Sequence, residues 1–588
     1  MRQRKLLPMC FGITACILAG CTDNNYSIQS IDYLLGFGGE ELVLPTISTQ
    51  KITVNDFLKE SGAITVKDNG DYEFTQKGND IGTVVINVPE VTTDKQEFES
   101  LDIPLTQSIV LDGVGEKREV NVGVDAYHFD YSASLPEEIV SLTSLGVKGN
   151  FDLALQVPQN VRDAFSEIDC ITLEWPGGLC MSGIEISGGT LTYDETHLKL
   201  EHLELDKDIK VTLPLQSLSF NSDAEKDGVF VDLVNRKVGL KGEISAHVYI
   251  APEHMKTNSG KVYASAFNDE PLALKTKGSL TPITITECVG RFSPSIAMDN
   301  IGNVEIKEMP DFLTSERVVA DLANPQINLQ VESDLCVAGL ISGTIHAKKD
   351  GKEIATVDVP ELTIHENAIT KICLCRDKSL TTQYEGVEYF EVSNLSDIIK
   401  SVPDEISFDV STAVDDSKDV YYQLGHDYHI TPSYEVNAPL AFGKDARIEY
   451  NQAIDGWGET LSQLKTTKGS KVELTAEIQN QLPVDLITQA EPIDKNGNSL
   501  ADKMTISIKT DKDNNEILAD SKGTTMTISV EADEPDALQE LDGINLSVTG
   551  KTNEQMVGVT LNAEKHSLQI TSLQAKLKGK IIIDANKK

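Results

Sequence analysis

The chain has 588 residues, of which 92 are Asp or Glu and 51 are Lys or Arg, so its formal net charge is −41 at neutral pH. Binding to nucleic acid or to an anionic lipid surface depends on basic patches, and this charge opposes both. We therefore expect no nucleic-acid partner. At about 150 residues per domain, the length predicts three to five domains.

The first 21 residues have the pattern of an export signal. Three basic residues precede an apolar run over residues 6–18, which is too short to span a bilayer. The run ends in Leu18-Ala19-Gly20-Cys21, which resembles the bacterial lipobox. The resemblance implies that residues 1–20 are a removed signal peptide and that Cys21 carries a lipid. We expect this lipid to hold the protein in the outer membrane.

Residues 21–49 are expected to form a polar tether. Many Bacteroidetes lipoproteins that reach the outer cell surface carry a short acidic stretch directly after the lipidated Cys. Here only Asp23 is acidic, and Asn24 and Asn25 follow it. The cell-surface and periplasmic faces of the membrane therefore both remain open.

From about residue 50, short runs of alternating, β-branched residues predict strands, and turn-forming residues separate them every 8–12 residues or so. Typical runs lie at residues 83–88, 210–213, 504–508 and 526–530, and typical turns at residues 68–71, 349–352, 494–498 and 511–515. This pattern predicts a mainly β protein made of tandem β-sandwich domains with a few short capping helices.

Four units in which a short helical pattern precedes a strand set the predicted domain boundaries. The units begin near residues 135, 312, 395 and 457. We expect an N-terminal β domain at 50–134, a β-sandwich at 135–310, a small β domain at 311–394, a helix-strand unit at 395–456 and a C-terminal β-sandwich at 457–588.

Six cysteines remain beyond Cys21, and an even number in an exported protein permits disulfides. Cys170 and Cys180 flank a turn, so a bridge across a hairpin is open to them. Cys373 and Cys375 are two residues apart, so both point to one face of a strand. With no CxxC motif and no neighbouring His, we expect buried free thiols there rather than a metal site.

The two tryptophans are the candidates for a surface that stacks on sugar rings. Trp457 begins an amphipathic helical pattern, where packing explains it. Trp175 stands beside a Pro-Gly-Gly turn, and two interpretations remain open for it: an exposed ligand platform, or packing in the core or turn.

No catalytic or metal constellation is evident, so we predict no cofactor, no metal and no enzyme activity. In the segment 421–430, alternation places His426 and His429 on opposite faces of a strand, which favours a half-exposed edge strand over a metal site. Asp511 and Asp513 imitate the start of a calcium loop, but Glu516 and Lys522 occupy positions where that loop needs Gly and Glu.

Two resemblances concern the C-terminal part of the chain. Residues 472–497 (VELTAEIQNQLPVDLITQAEPIDKNG) resemble the strand core of late-embryogenesis-abundant and water-stress sandwiches. Together with residues 541–550 (LDGINLSVTG), the same segment resembles tandem-β lipoproteins of gut Bacteroidetes. The second resemblance implies an envelope protein and no particular chemistry.

These features predict a lipid-anchored, non-catalytic envelope protein that acts as a surface binding, adhesive or structural module. The alternative is a glycan- or lipid-binding lipoprotein of an uptake or transport system, and the third option is a hydrolase. A lipid carrier needs long amphipathic strands, whereas residues 198–205 slip phase at Glu201-His202, which favours a bulge in a sandwich. The partner is an unidentified glycan, lipid or protein.

Overall fold

The computed structural model describes residues 41–43, 51–56, 58, 64–78, 81–98, 100–105, 119–175, 177–194, 196–220, 228–256, 271–297, 304–306, 317–462, 464–511, 515–579 and 581–583. The predicted signal peptide, Cys21 and most of the tether lie outside these residues, as does Asp513. Within the described ranges, no helix has both the length and the apolar character needed to cross a membrane.

Strands dominate these residues and are numbered β1–β40 in chain order. The first fourteen are β1 (Glu41–Val43), β2 (Ile52–Thr53), β3 (Ile64–Val66), β4 (Tyr72–Lys77), β5 (Val84–Asn87), β6 (Val91–Thr92), β7 (Gln96–Glu97), β8 (Leu101–Pro104), β9 (Val120–Ser134), β10 (Ser144–Gln156), β11 (Glu167–Glu174), β12 (Leu179–Met181), β13 (Glu185–Ile186) and β14 (Thr190–Tyr193). The next fourteen are β15 (His197–Glu204), β16 (Ile209–Ser219), β17 (Gly228–Asp232), β18 (Lys237–Ile250), β19 (Ala273–Leu280), β20 (Thr284–Gly290), β21 (Val304–Glu305), β22 (Val318–Val319), β23 (Gln326–Ser333), β24 (Gly339–Lys349), β25 (Lys352–Ile364), β26 (Ala368–Cys375), β27 (Glu388–Glu391) and β28 (Glu405–Val414). The last twelve are β29 (Val420–Gln423), β30 (Asp427–Pro439), β31 (Arg447–Ile454), β32 (Leu464–Thr466), β33 (Lys471–Asn480), β34 (Asp485–Ile493), β35 (Met504–Thr510), β36 (Glu516–Ile517), β37 (Ser521–Ala532), β38 (Gly543–Lys551), β39 (Ser567–Lys578) and β40 (Ile581–Ile583).

Helices in the described residues are short. They are α1 (Gln159–Ala164), α2 (Gly458–Leu461) and 3₁₀ turns at Val54–Asp56, Pro252–His254, Lys378–Leu380, Leu395–Ile398 and Ala537–Gln539. Two of the four predicted helical patterns are therefore single turns, near residues 395 and 457. The prediction of a helix near residue 135 is wrong, because Ile139 forms a β-bridge to Phe292 instead. The pattern at 312–322 lies partly outside the described residues, and its described end contains β22.

The strands form three modules, each made of two large sheets, and the terminal module also holds a separate two-stranded sheet. All described pairs except β26–β27 are antiparallel. The terminal module has the sheets β1-β39-β33-β37-β35 and β22-β31-β38-β34-β36, with β2 also on β39 and β32 paired with β40. The middle module has β27-β26-β23-β30-β4-β3, with β5 on β30, and β21-β28-β24-β25. The far module has β12-β16-β10-β19-β7, joined by β6, β8, β13, β20 and β29, and β14-β15-β11-β18-β17, with β9 on β18.

The mainly β fold class with sandwich-like units is confirmed, but the predicted boundaries between units are not those observed. The chain enters the terminal module with β1 and β2, crosses the middle module with β3–β5 and builds the far module with β6–β20. It returns through the middle module and ends in the terminal module with β31–β40. The modules are thus nested in the sequence. Two short strands are exceptions, since β22 joins the terminal module and β29 joins the far module while the chain passes through the middle module.

The strands predicted as an N-terminal domain at 50–134 show this nesting most clearly. Glu73 of β4 pairs with Pro439 of β30, and Tyr131 of β9 pairs with Leu240 of β18. The segments 311–394 and 395–456 likewise share sheets with each other and with other parts of the chain. Alternation in a sequence indicates which face of a strand is buried, but it does not identify the strand's neighbour.

Two apolar cores run through the three modules. One joins the far and middle modules, and the other joins the middle and terminal modules. In β16, Ile209, Val211, Leu213 and Leu215 alternate inward, as a strand with one buried face requires. Each such side chain contributes about 1.5–3 kcal/mol by leaving water.

A buried ion pair links the terminal module to the middle module. Asp321, just after β22, is fully buried, and its Oδ1 accepts a hydrogen bond of 2.7 Å from Nη1 of Arg376, just after β26. The same nitrogen donates to the carbonyl oxygen of Leu322 at 2.6 Å, and the backbone N–H of Asp445 donates to Asp321 Oδ2 at 3.0 Å. The carboxylate is thus satisfied on both oxygens, as a buried charge must be.

Candidate functional site

Trp175 does not form an exposed ligand platform. It follows β11, only 4% of its surface is exposed, and its ring belongs to the core shared by the far and middle modules. Its backbone N–H donates to the carbonyl oxygen of Thr196 at 3.0 Å. An aromatic ring buried in this way offers no face to a sugar, so the platform interpretation is wrong and core packing is observed.

Cys170 and Cys180 are not bridged; both are free thiols. Cys170 lies on β11, opposite Glu201 of β15, whereas Cys180 lies on β12, opposite Ser217 of β16. These strand pairs belong to different sheets of the far module, so the turn between the two cysteines crosses from one sheet to the other. The predicted hairpin bridge fails because β11 and β12 do not form a hairpin.

The other described cysteines are free thiols in apolar surroundings. Cys288, Cys373 and Cys375 are buried, and Cys336 is partly buried. Burial raises the pKa of Cys288 and of Cys373 to about 12 and that of Cys336 to about 11. Such thiols are protonated at neutral pH and react poorly as nucleophiles. The expectation of buried thiols at Cys373 and Cys375 is confirmed.

The segment containing His426 and His429 does not gather its side chains at one centre. Tyr428 is buried and His429 is exposed, as the alternation predicted, and His429 Nδ1 lies 3.2 Å from Asp334 Oδ2. Asp427 instead accepts a hydrogen bond from Asn87. The prediction of an edge strand is wrong, because β30 pairs with β23 on one side and with β4 and β5 on the other.

A cluster that the sequence analysis missed lies in the far module. Glu167 and Asp169 stand two residues apart at the start of β11, so their carboxylates share one face of the sheet. His254 ends the 3₁₀ turn that follows β18, the neighbour of β11. The carboxylate oxygens and a ring nitrogen of these three residues lie within 4.8 Å of one another. We call these residues the EDH cluster.

The EDH cluster is partly buried and tightly connected. The exposed fractions of the side chains are 28% for Glu167, 20% for Asp169 and 26% for His254. His254 Nδ1 lies 2.8 Å from Asp169 Oδ2, and the backbone N–H of Ala251 donates to the same oxygen at 2.7 Å. His254 Nε2 lies 3.8 Å from Glu167 Oε2, which is too long for a hydrogen bond.

Both titratable partners of the inner hydrogen bond favour their charged forms. Partial burial acts to raise the pKa of Asp169, but the hydrogen bonds from Ala251 and His254 outweigh it and lower that pKa. The hydrogen bond to Asp169 raises the pKa of His254. Asp169 is therefore a firmly held carboxylate that orients the imidazole.

A phase slip in two paired strands brings a fourth side chain to the cluster. In β15 the next buried residue after Leu200 is Leu203, and in β11 the next after Ile168 is Ile171, so each strand skips one step of its alternation. Because the two skips lie opposite each other, the pairing of the strands stays in register. His202, within this slip, has a φ of 54°, in the left-handed region. Its Nδ1 lies 2.8 Å from Glu167 Oε1.

Sequence reasoning found the slip at Glu201-His202 but not the cluster around it. His254 lies 85 residues from Asp169 in the chain, and only the pairing of β11 with β18 brings them together. The one local signal was the pair of carboxylates at Glu167 and Asp169, which is common in a chain with 92 acidic residues.

The two cavities characterised in the described residues lie between the sheets of the middle module and are small. Their volumes are about 30 and 10 Å³, and their linings are mainly apolar. A water molecule needs about 10–15 Å³ on this measure. Neither cavity has room for an acyl chain or a sugar ring.

Comparisons with known proteins give no family. No family model matches the chain, and no curated protein matches it. Among solved structures, a protein of Parabacteroides distasonis ATCC 8503 that is expected to be secreted aligns with 15% identity and a TM-score of 0.35, over 50% of this chain and 90% of its own. Tripeptidyl peptidase 2 aligns with 9% identity and a TM-score of 0.12, over 83% of this chain and 37% of its own. Likenesses this low carry no argument about function.

Proposed function

We propose that this protein is a lipid-anchored, non-catalytic component of the cell envelope, in which a row of β modules acts as a surface structural or protein-binding body. The observation that carries the proposal is the position of the chain's first described strand. Glu41 to Val43 of β1 pair with Lys578 to Lys576 of β39, so the segment leading from Cys21 enters the terminal module.

This connection gives the row a direction. Glu41 stands twenty positions after Cys21, and an extended chain of that length reaches at most about 70 Å. A lipid on Cys21 therefore keeps the terminal module near the membrane. The cores link the terminal module to the middle module and the middle module to the far module, so the far module stands farthest along the row from the anchor.

The charge of the chain suits an exposed body. A net charge of −41 favours hydration and repulsion from other acidic material of the envelope. The glycan-binding alternative loses its platform, since Trp175 is buried. The lipid-carrier alternative has no support from the two cavities of the middle module, because each is close to the size of a water molecule.

Replacement of the lipidated residue tests the proposal. In Cys21→Ala cells the protein should move from the membrane fraction to the soluble fraction after lysis and salt washing. The control is Cys180→Ala, which removes an exposed thiol outside the lipobox and should leave the protein in the membrane fraction. Continued membrane retention of Cys21→Ala would contradict the proposed anchor.

A further inference from the structure

We propose that the EDH cluster of the far module is a binding site for a divalent transition metal of the zinc class. In this site His254 Nε2, Glu167 and His202 are the ligands, and Asp169 is the positioning residue. The inference is independent of the lipid anchor, because it rests only on the geometry around β11, β15 and β18.

The hydrogen bonds of Asp169 determine which nitrogen of His254 is available. Asp169 Oδ2 accepts from the backbone N–H of Ala251 at 2.7 Å and lies 2.8 Å from His254 Nδ1. A carboxylate only accepts, so Nδ1 carries a proton and the lone pair of the neutral ring is on Nε2. Metal-ligating histidines characteristically donate their other ring N–H to a carboxylate in this way.

Nε2 of His254 and a carboxylate oxygen of Glu167 have the separation of two ligands on one ion. His254 Nε2 and Glu167 Oε2 are 3.8 Å apart. Zinc binds nitrogen and carboxylate oxygen at about 2.0–2.2 Å, so two ligands of one ion lie about 3.4 Å apart at the tetrahedral angle and up to about 4 Å apart at wider angles. An ion fits between these atoms with little movement of either side chain.

His202 supplies a third group at the open side of the cluster. Its Nδ1 is 2.8 Å from Glu167 Oε1, and its side chain is 71% exposed, so the ring is free to turn toward an ion held by Glu167. Water completes a coordination shell at such a surface site. Two imidazoles and one carboxylate form a ligand set that zinc accepts.

Another histidine of the protein shows what an ordinary ion pair looks like and supplies a matched control. His346 in the middle module has Nδ1 at 2.7 Å from Glu353 Oε2 and Nε2 at 3.2 Å from Asp409 Oδ2. Both of its nitrogens lie within hydrogen-bond distance of carboxylates. His254 differs because only Nδ1 lies within hydrogen-bond distance of a carboxylate, while Nε2 is 3.8 Å from Glu167 Oε2.

Calorimetric titration of the full chain with ZnCl₂ tests the site. The protein is first treated with a chelator, and every sample carries Cys180→Ser so that the exposed thiol does not bind the metal. We expect one ion per chain in the parent protein. Glu167→Gln and His254→Gln should abolish that binding, and Asp169→Asn should weaken it by 10- to 100-fold, since outer carboxylates tune ligand histidines by about that factor.

The control variant His346→Gln should bind zinc as the parent protein does. Circular dichroism of each variant establishes that it is folded. The proposal is overturned if the parent binds no stoichiometric zinc, if Glu167→Gln and His254→Gln bind it unchanged, or if His346→Gln loses binding to the same extent as these two variants.

Discussion

The terminal and far modules are both pairs of sheets around aliphatic cores, yet the chain builds them in different ways. Strands β6–β20 of the far module follow one another along the chain, and among the described strands only β29 joins them from later in the sequence. The terminal module instead combines β1, β2 and β22 with β31–β40, and Glu41 pairs with Lys578 near the opposite end of the sequence. The far module can form from contiguous chain, whereas the terminal module closes only when both ends meet.

The two modules also differ in where they place polar side chains. The far module keeps its EDH cluster partly open to solvent. The terminal module fully buries two polar side chains whose hydrogen bonds are made: the Nδ2 of Asn480 donates to the carbonyl oxygens of Val484 and Ile517, and Asp321 pairs with Arg376. Buried, satisfied groups fix a unique arrangement of a module that contiguous sequence does not define.

The largest expected effect comes from breaking the ion pair that joins the terminal and middle modules. Asp321→Ala leaves Arg376, which is 18% exposed, without its carboxylate partner. Loss of one partner of a buried pair costs about 3–5 kcal/mol of unfolding free energy. Urea unfolding should show this loss in the transition that includes the terminal module.

A surface pair provides the comparison for Asp321→Ala. Lys95 and Glu97 lie 3.1 Å apart in the far module, and both side chains are more than half exposed. Glu97→Ala should leave the unfolding midpoint unchanged, since exposed ion pairs contribute little. Equal effects of the two variants would contradict the assigned importance of the buried pair.

Core truncations test whether the two modules open separately. Leu200 of β15 and Leu546 of β38 are both fully buried, one in the far module and one in the terminal module. Leu→Ala at either position should cost about 2–5 kcal/mol. Native-state hydrogen exchange should show lower protection only in the far module for Leu200→Ala and only in the terminal module for Leu546→Ala. Loss of protection in both modules from either variant would show that they open as one unit.

A smaller effect concerns pH and the terminal module. Burial lowers the pKa of His566, with Lys565 acting in the same direction and Asp71 and Asp520 opposing, and its Nδ1 accepts a hydrogen bond from the N–H of Asn562. The unfolded chain then binds a proton more readily than the folded chain. Stability from this group is therefore present above the unfolded value of about 6.5 and declines as the pH falls below it.

Thermal unfolding from pH 8 to pH 5.5 measures this contribution. His566→Gln should flatten the decline below pH 6.5, whereas His128→Gln, which removes an exposed ring of the far module, should retain the parent's profile. A parent-like decline in His566→Gln would assign the pH dependence to other groups.

The sequence predicted the strands well because their alternation is a local property. The runs at 210–213, 504–508 and 526–530 all lie in observed strands, and the helical patterns near 395 and 457 became single turns. The pairing partners of the strands were not predictable in the same way, because partners can lie far apart in the sequence. Strand β4 pairs with β30, which is more than 350 residues away. The nesting of the modules therefore has no signal in the local pattern of consecutive segments.

The candidate site illustrates the same limit on a smaller scale. Alternation correctly separated Tyr428 from His429, and composition correctly favoured buried thiols at Cys373 and Cys375. The EDH cluster depends instead on the contact of one strand with a turn after its neighbour, and Trp175 is buried by the core packing around the end of β11. Neither contact has a signal in a single sequence.

Fluorescence quenching measures the direction of the row of modules relative to the membrane. Reporters are attached at Lys468→Cys, in the turn between β32 and β33 of the terminal module, and at Val234→Cys, in the β17–β18 hairpin of the far module, both in Cys180→Ser protein on vesicles with a quencher on the lipid headgroup. Stronger quenching at position 468 than at position 234 is the predicted result. Equal quenching, or stronger quenching at position 234, would contradict a row anchored through its terminal module.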